Sequence, residues 1–219
     1  MKLDAQNKAS LAIYLRCLEE AKHRLAFAEH FAAVASGQPR INTENACLQF
    51  RKALELIAYA AIAPHRAKYE AWRRQAEQPK DFRKDFNGKK ILHSLAKLNP
   101  YSYPRPLVRP VERNGAWHYD FFRGAYLTKK RYEEVYDRCG ALLHADNPWG
   151  HDKQYTSFAE LLPNYVGWTL ALIKLHSVII EHEGGVAAWV VEAGDLTTKA
   201  KGHIGQGAPG IHVFPDYYE

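Results

Sequence analysis

Arg138 and His144 are the two residues whose types and spacing are best suited to chemistry, with five residues between them. Successive residues of a helix are about 100° apart around its axis, so a regular helix would place these two side chains on different faces. Asn147-Pro148 follows closely and should stop a helix. We therefore expect the helix to end near His144, which would allow the two side chains to converge.

The chemistry that suits such a pair is cleavage of RNA. Arginine keeps its charge and can hold a phosphate through two hydrogen bonds. Histidine titrates near neutral pH and can exchange a proton with a ribose 2′-hydroxyl or with the leaving 5′ oxygen. If the 2′-hydroxyl of the substrate is the nucleophile, no metal is needed and the product ends in a 2′,3′-cyclic phosphate. Alternatively, the two cations only stabilise a helix C-terminus.

Further basic residues could contact a nucleic acid. Arg51 and Lys52 lie close to Glu55 in a predicted helix, where they could face Arg138 or form an ordinary ion pair within the helix. A proline-rich stretch mixes arginines with aromatic residues, which could stack bases or attach the loop to the core: Tyr101, Tyr103, Arg105, Arg109, Arg113, Trp117 and Tyr119. The candidate nucleic-acid contacts are Arg51, Lys52, Arg105 and Arg109.

The positive charge of the chain is unevenly distributed. The formal net charge is +6, and residues 51–90 contain eleven Lys and Arg against five Asp and Glu. A concentrated basic surface attracts polyanions such as RNA. The same pattern is also typical of an ordinary solvated helix surface.

Helical spacing of apolar residues predicts a first helix over about 5–36, which Gly37 and Pro39 should end. Asn42 or Thr43 could cap a second helix, and Pro64 should kink it. Residues 80–90 are interpreted as a loop or frayed turn, and residues 91–98 as a short helix. These helices should form a helical core.

The second half mixes helix and strand signals. Asn114-Gly115 predicts a small β-hairpin inserted between helices, and Thr128 could cap the helix that carries Arg138. A long apolar helix is predicted from Ser157 and Glu160, or from Pro163, as far as Glu181. Residues 186–192 and 211–214 are β-like and could pair with the hairpin.

These elements predict one mainly helical domain over residues 1–219. Its helical core should span about 5–183, followed by a short, glycine-rich and β-rich extension over about 184–219. The start of the chain lacks the apolar region of a signal peptide, and the three cysteines form no CxxC pair. We therefore expect a cytoplasmic protein that does not associate with a membrane.

The sequence favours neither a metal centre nor a cofactor. The loosely placed His118, Asp120, His151 and Asp152 lack the spacing of a dedicated metal site. The glycines near the C-terminus lack the strand-then-helix context that a dinucleotide site requires. We therefore expect the protein to need neither.

The Arg138–His144 spacing resembles the Arg-x(4–6)-His motif of HEPN domains. The segments ENACLQFRKALELIAYAAI and KKILHSLAKLNPYSYPRP are also similar to a bacterial helical family related to HEPN proteins, and the resemblance covers about residues 5–149. It implies a HEPN-like antiparallel helical bundle and a metal-independent endoribonuclease of toxin or phage-defence type. In that family Arg138 would bind phosphate and His144 would transfer the proton. The resemblance also implies a homodimer, with RNA and an antitoxin or nucleotidyltransferase as possible partners.

Cys139 occupies a position where the family usually has a polar residue. This departure supports an alternative function: a non-catalytic, HEPN-like dimeric module that binds nucleic acid, a nucleotide or a protein partner. Salt-dependent binding of RNA without turnover would favour that alternative.

Overall fold

Two long helices form the base of the fold in the computed structural model, which describes residues 5–34, 37–75, 81–150, 153–182 and 185–206. Helix α1 is Ala5–Ala33 and helix α2 is Pro39–Ile62. Each buries one residue at every third or fourth position, which is the stripe that lets two helices pack along their length: Tyr14, Leu18, Ala21 and Leu25 in α1, and Cys47, Phe50, Leu54 and Ile57 in α2.

The prediction that Asn42 or Thr43 caps α2 was wrong. Helix α2 begins at Pro39, which is favoured in the first helical turn because its missing N–H has no partner there. The Asn42 side chain instead donates to the carbonyl oxygen of Val34 at 2.8 Å, and the Thr43 hydroxyl donates to that of Pro39 at 3.0 Å. Both residues therefore stabilise the helix from within its first turns.

Proline and capping residues set the bounds of the next helices. The predicted interruption at Pro64 is confirmed, because a 3-10 turn over Ala63–His65 separates α2 from helix α3, Arg66–Gln75. A second 3-10 turn, Phe82–Lys84, leads to helix α4, Gly88–Leu98, which begins three residues before the predicted start. The Asn87 side chain accepts from the Lys90 backbone N–H at 3.0 Å and so caps α4.

The two helices that carry the candidate site are α5, Lys129–Leu143, and α6, Tyr155–Ile173. Thr128 caps α5 as predicted. The predicted start of α6 at Ser157 or Pro163 was wrong: both residues lie inside the helix, which follows Gln154 in a left-handed conformation (φ 55°). The Ser157 hydroxyl is bonded to Arg138 instead of capping the helix.

An antiparallel sheet follows α6, so the predicted helix as far as Glu181 was wrong, as was a helical core extending to residue 183. The strands are β1 (Arg105–Pro106), β4 (His176–His182), β5 (Gly185–Glu192) and β6 (Lys201–Gln206), in the order β1-β4-β5-β6. Val178, Ile179 and Ile180 are β-branched and favour a strand. A short apolar run does not itself distinguish a helix from a strand, and here pairing with β5 decides the conformation.

The predicted Asn114-Gly115 hairpin is confirmed. Strands β2 (Val111–Arg113) and β3 (Ala116–His118) pair across a turn in which Asn114 has φ 52° and Gly115 φ 75°. The predicted pairing of residues 186–192 with this hairpin was wrong, because β5 lies between β4 and β6. The β-like residues 211–214 lie outside the described residues.

The helices and the sheet share one core, in which Tyr14, His176 and Trp189 are almost completely buried. The His176 Nδ1–H donates to the carbonyl oxygen of Ile173 at 2.9 Å, so Nε2 is the acceptor for the Tyr14 hydroxyl at 2.7 Å. The Tyr14 ring meets Trp189 edge-on. A hydrogen bond between α1 and β4 therefore lies inside the core. The described part of the chain is mainly helical with small antiparallel sheets.

A buried lysine joins α1 to the segment before β6. Lys22 is fully buried; its ammonium donates to the carbonyl oxygens of Ala193, at 2.8 Å, and Thr198, and lies 3.2 Å from the Glu19 carboxylate. Glu19 in turn accepts from the Ala200 N–H. These bonds satisfy a charge that would be costly to bury alone.

We expect the stability of the protein to fall as the pH decreases from about 6.5 to 4. Burial lowers the pKa of His176 to about 4, despite its hydrogen bond to Ile173. Burial and the charge of Lys68 lower the pKa of His65 to about 4. Both imidazoles are therefore neutral in the folded state while the unfolded chain takes up protons, and each should cost about 2 kcal/mol at pH 5.

Urea unfolding at pH 7 and pH 5 measures this effect. His176→Phe should remove about half of the difference between the two pH values, whereas a variant of the exposed residue His23, His23→Ala, should retain it. Equal stability of the wild type at both pH values would contradict the expectation.

Replacing Lys22 by methionine should lower the free energy of unfolding by about 2 kcal/mol, because buried oxygen acceptors lose their donor. Lys8→Met, which changes an exposed lysine of the same helix, is the matched control. Chemical denaturation of both variants at pH 7 measures the difference, and equal stability of the two would show that the buried ammonium is not needed.

Candidate functional site

The candidate site lies where α5 ends and the chain turns towards α6. Helix α5 stops at Leu143, and His144 follows in an extended conformation (ψ 152°) with an exposed side chain. The predicted end of the helix at His144 is therefore confirmed. The imidazole is accessible to a substrate from solvent.

Arg138 is oriented by two hydroxyl groups of α6. Its Nη1 donates to the Tyr165 hydroxyl at 2.7 Å and its Nη2 to the Ser157 hydroxyl at 2.9 Å. The guanidinium carbon also lies 5.7 Å from the centre of the Phe158 ring. Since a guanidinium has five N–H donors, two bonds to neutral hydroxyls leave its charge and several donors for an anion.

Asp137 does not neutralise Arg138, although it precedes it directly. Its carboxylate pairs with Lys89 of α4 at 2.5 Å. On the neighbouring helical turn, Glu133 accepts from the His93 ring at 2.8 Å. Glu133 and Asp137 are therefore directed towards α4, while Arg138 is directed towards α6.

Cys139 faces the core, which explains why no polar residue is needed there. It is fully buried, and the Cys47 thiol donates to its carbonyl oxygen at 3.6 Å. Burial raises the pKa of the Cys139 thiol well above its ordinary value, so the thiolate that a nucleophile requires is disfavoured. Cys139 therefore contributes packing against α2.

Charged residues fix the loop that carries His144. The Lys153 ammonium donates to the carbonyl oxygens of His144 and Ala145, and it lies 3.2 Å from Asp146. Arg40 at the start of α2 also pairs with Asp146, at 2.6 Å. Desolvation raises the pKa of Asp146, but hydrogen bonds from Lys153 and Tyr155 and nearby positive charge outweigh it, so the pKa is lowered. These contacts position the backbone of His144.

Two features of this site were missed by the sequence predictions. Tyr165 and Ser157 were not identified as partners of Arg138, because nothing in their spacing relates them to a residue on another helix. Trp149 was not considered as a site residue either, and it is 91% exposed. An exposed aromatic ring is a surface on which a base can stack.

Arg51 proves to be part of a helix junction. It pairs with Glu55 at 3.2 Å, its Nη2 donates to the Tyr136 hydroxyl at 3.0 Å, and its guanidinium lies over the Tyr136 ring. A Cβ atom at Gly140 would lie 2.8 Å from Arg51 Nη1, so this glycine allows the close approach. Of the two alternatives for Arg51, the ion pair within α2 is present, while Lys52 is exposed to solvent.

The aromatic stretch divides into buried and exposed members. Tyr103 is buried and donates to the carbonyl oxygen of Leu127 at 2.8 Å, as expected for attachment to the core. The Arg105 guanidinium lies 3.6 Å from the centre of the Phe121 ring. Trp117 in the hairpin is 64% exposed, and Tyr119 just after it is 38% exposed. Among the residues named here, only these two rings offer substantial stacking surface.

Arg109 lines a cleft beside the hairpin, with a volume of about 430 Å³. This hairpin cleft is formed by Arg109, Pro110, Tyr119, Leu175, Val190, Glu192, Lys201 and His203. Glu192 pairs with Lys201 at 2.9 Å. An exposed ring beside basic side chains suits one strand of a nucleic acid, since bases stack on the ring and phosphates contact the cations.

The described residues include no group of three His, Cys, Asp or Glu that could hold a metal ion. Two of the residues considered as loose metal ligands, His151 and Asp152, lie outside the described residues. Cys17, Cys47 and Cys139 are all free thiols. Within the same described ranges, no helix is long and apolar enough to cross a membrane.

We expect Arg109→Ala and Tyr119→Ala each to weaken binding of a single-stranded RNA oligonucleotide by about tenfold. Arg109→Ala should also make binding less dependent on salt, because one phosphate contact is lost. Fluorescence anisotropy at several salt concentrations measures both effects. Arg113→Ala at the hairpin tip, outside the cleft lining, is the control, and wild-type affinity in all three variants would exclude the cleft as an RNA contact.

Comparison with known protein families, characterised proteins and solved structures finds no match for this chain. An assignment of function therefore depends on the side chains described above. The most informative of these are the oriented guanidinium of Arg138 and the exposed imidazole of His144.

Proposed function

We propose that this protein is an endoribonuclease that cleaves RNA without a metal ion, at the junction of α5 and α6. The observation that carries the proposal is the state of Arg138: it is held by two neutral hydroxyls, and its neighbouring acid pairs with Lys89. A guanidinium that is oriented, and that forms no ion pair with a described carboxylate, is suited to bind a phosphodiester. His144, exposed where the helix ends, supplies the group that transfers a proton.

The reaction proceeds by internal transfer within the RNA. The ribose 2′ oxygen forms a bond to phosphorus, the bond from phosphorus to the 5′ oxygen breaks, and the products are a 2′,3′-cyclic phosphate and a free 5′-hydroxyl. His144 accepts the proton of the 2′-hydroxyl, water supplies the proton of the leaving 5′ oxygen, and the imidazole then returns its proton to the hydroxide that remains. Arg138 stabilises the charge on the non-bridging oxygens, and Ser157 and Tyr165 position Arg138.

Trp149 extends the proposed site towards the substrate. It follows His144 by five residues, and its exposed indole can stack a base of the bound strand. The relation to HEPN domains, the homodimer and an antitoxin or nucleotidyltransferase partner also remain predictions. Light scattering of the purified protein measures the oligomeric state independently of cleavage.

Cleavage of a labelled RNA in excess EDTA tests the proposal directly. His144→Ala should lower the rate by about 10²-fold or more, since it removes the proton acceptor. Arg138→Lys keeps a positive charge but loses the paired donors, and should also be strongly impaired. Exposed residues of α1 provide matched controls, His23→Ala and Arg16→Ala, which should retain the wild-type rate.

Circular dichroism should show that all four variants are folded. Analysis of the product ends identifies the mechanism, because a cyclic phosphate shows that the 2′ oxygen was the nucleophile. Cleavage that persists in both His144→Ala and Arg138→Lys, or that disappears in EDTA, would overturn the proposal.

A second candidate is a non-catalytic module that binds RNA. It is favoured by the contacts of Arg138, which join α5 to α6 and so also serve a structural role. In that case RNA should bind in a salt-dependent manner without turnover, and Arg138→Lys should reduce stability more than affinity. Tyr165→Phe removes one acceptor of Arg138 and should then also lower the unfolding temperature.

A further inference from the structure

The basic segment between α2 and α4 contains two kinds of cation. Most of its arginines that the structure describes are held in ion pairs: Arg74 with Glu70 at 2.6 Å, Arg83 with Asp81 at 2.8 Å, and Arg73 with Asp85 at 2.8 Å. Lys84 and Lys90 are exposed and form no ion pair with a described carboxylate. Lys84 and Lys90 therefore contribute to the excess positive charge of the segment, whereas the paired arginines do not.

These two lysines line the same cavity, between α3 and α4. The α3–α4 cavity has a volume of about 260 Å³, and its wall includes Arg73, Lys84, Phe86, Lys90 and Ser94. Three cations face one acid, Asp85, so the cavity has a positive charge. The α3–α4 cavity is therefore separate from Arg138 on α5 and from His144, which follows α5.

The carboxylate in this cavity, that of Asp85, already accepts hydrogen bonds from the protein itself. Asp85 accepts from the Tyr69 hydroxyl at 2.9 Å and from Arg73 Nη2 at 2.8 Å, one bond to each carboxylate oxygen. Arg73 is only 8% exposed, and its Nε has no acceptor within the part of the chain that the structure describes. A buried donor without an acceptor is uncommon. Arg73 lines the cavity, and so its positive charge lies at the cavity wall.

An exposed aromatic ring adjoins the cations. Phe86 lies directly after Asp85, and its side chain is 76% exposed. A large apolar side chain this exposed gains free energy when a flat partner covers it, and every nucleobase offers such a face. The lining thus combines cations and a hydroxyl for a phosphate with an aromatic surface for a base.

We propose that the α3–α4 cavity binds a nucleoside monophosphate. The phosphate lies between Lys84, Lys90 and Arg73, with the Ser94 hydroxyl as a further donor, and the base stacks on Phe86. The volume supports this arrangement, because about 260 Å³ is smaller than pockets that enclose drug-sized ligands, so the base lies at the rim. The proposal does not depend on RNA cleavage at Arg138 and His144.

Calorimetric titration of the intact protein at low salt, using AMP, adenosine and inorganic phosphate, tests the proposal. AMP should bind saturably and at least about tenfold more tightly than either adenosine or phosphate, because only AMP engages both the cations and the ring. Lys90→Ala and Phe86→Ala should each weaken AMP binding by about tenfold. Both residues are exposed, so the variants should fold normally.

Lys97→Ala is the matched control. Lys97 is an exposed lysine of the same helix, two turns beyond Lys90 on the same face and outside the cavity lining, and its removal changes the net charge equally. Its affinity for AMP should equal that of the wild type. Absent AMP binding, equal affinity for AMP and phosphate, or equal effects of Lys90→Ala and Lys97→Ala would overturn the proposal. AMP binding is measured without RNA, so its failure is distinct from a failure of RNA cleavage.

Discussion

Helix α5 is packed on two sides, and the position of the candidate site follows from this constraint. Neighbouring residues of a helix are about 100° apart, so Cys139 faces α2 in the core while Arg138 faces the hydroxyls of α6. The Arg51–Tyr136 contact supports the side towards α2. Because packing fixes the rotation of α5, the guanidinium of Arg138 cannot move to another face.

The sequence predicts most of the features of this fold that depend on neighbouring residues. Thr128 as a cap, Pro64 as an interruption and Asn114-Gly115 as a turn are all found, because each acts within a few residues of itself. Two errors are local, the starts of α2 and α4. The larger errors concern contacts between distant residues. Residues 176–182 form a strand because β5 pairs with them, and Ser157 is turned to Arg138 instead of serving as a cap.

For the site, sequence reasoning identifies the chemistry of residues better than their surroundings. It places Arg138 and His144 at a helix end, and that end is present at Leu143. It indicates the ion pair of Arg51 with Glu55. It does not indicate that Lys89 pairs with Asp137 or that Arg51 donates to the Tyr136 hydroxyl. Such pairings decide which cations have charge left for a ligand, and they depend on how helices approach one another.

The fully buried ammonium of Lys22 links the beginning of the chain to its end. Its acceptors, the carbonyl oxygens of Ala193 and Thr198, are separated from it by more than 170 residues. Until those residues have been synthesised, α1 carries a charge on the face that it must bury, and water has to remain there. Helix α1 is synthesised before these residues and can therefore complete its packing only after they have emerged from the ribosome.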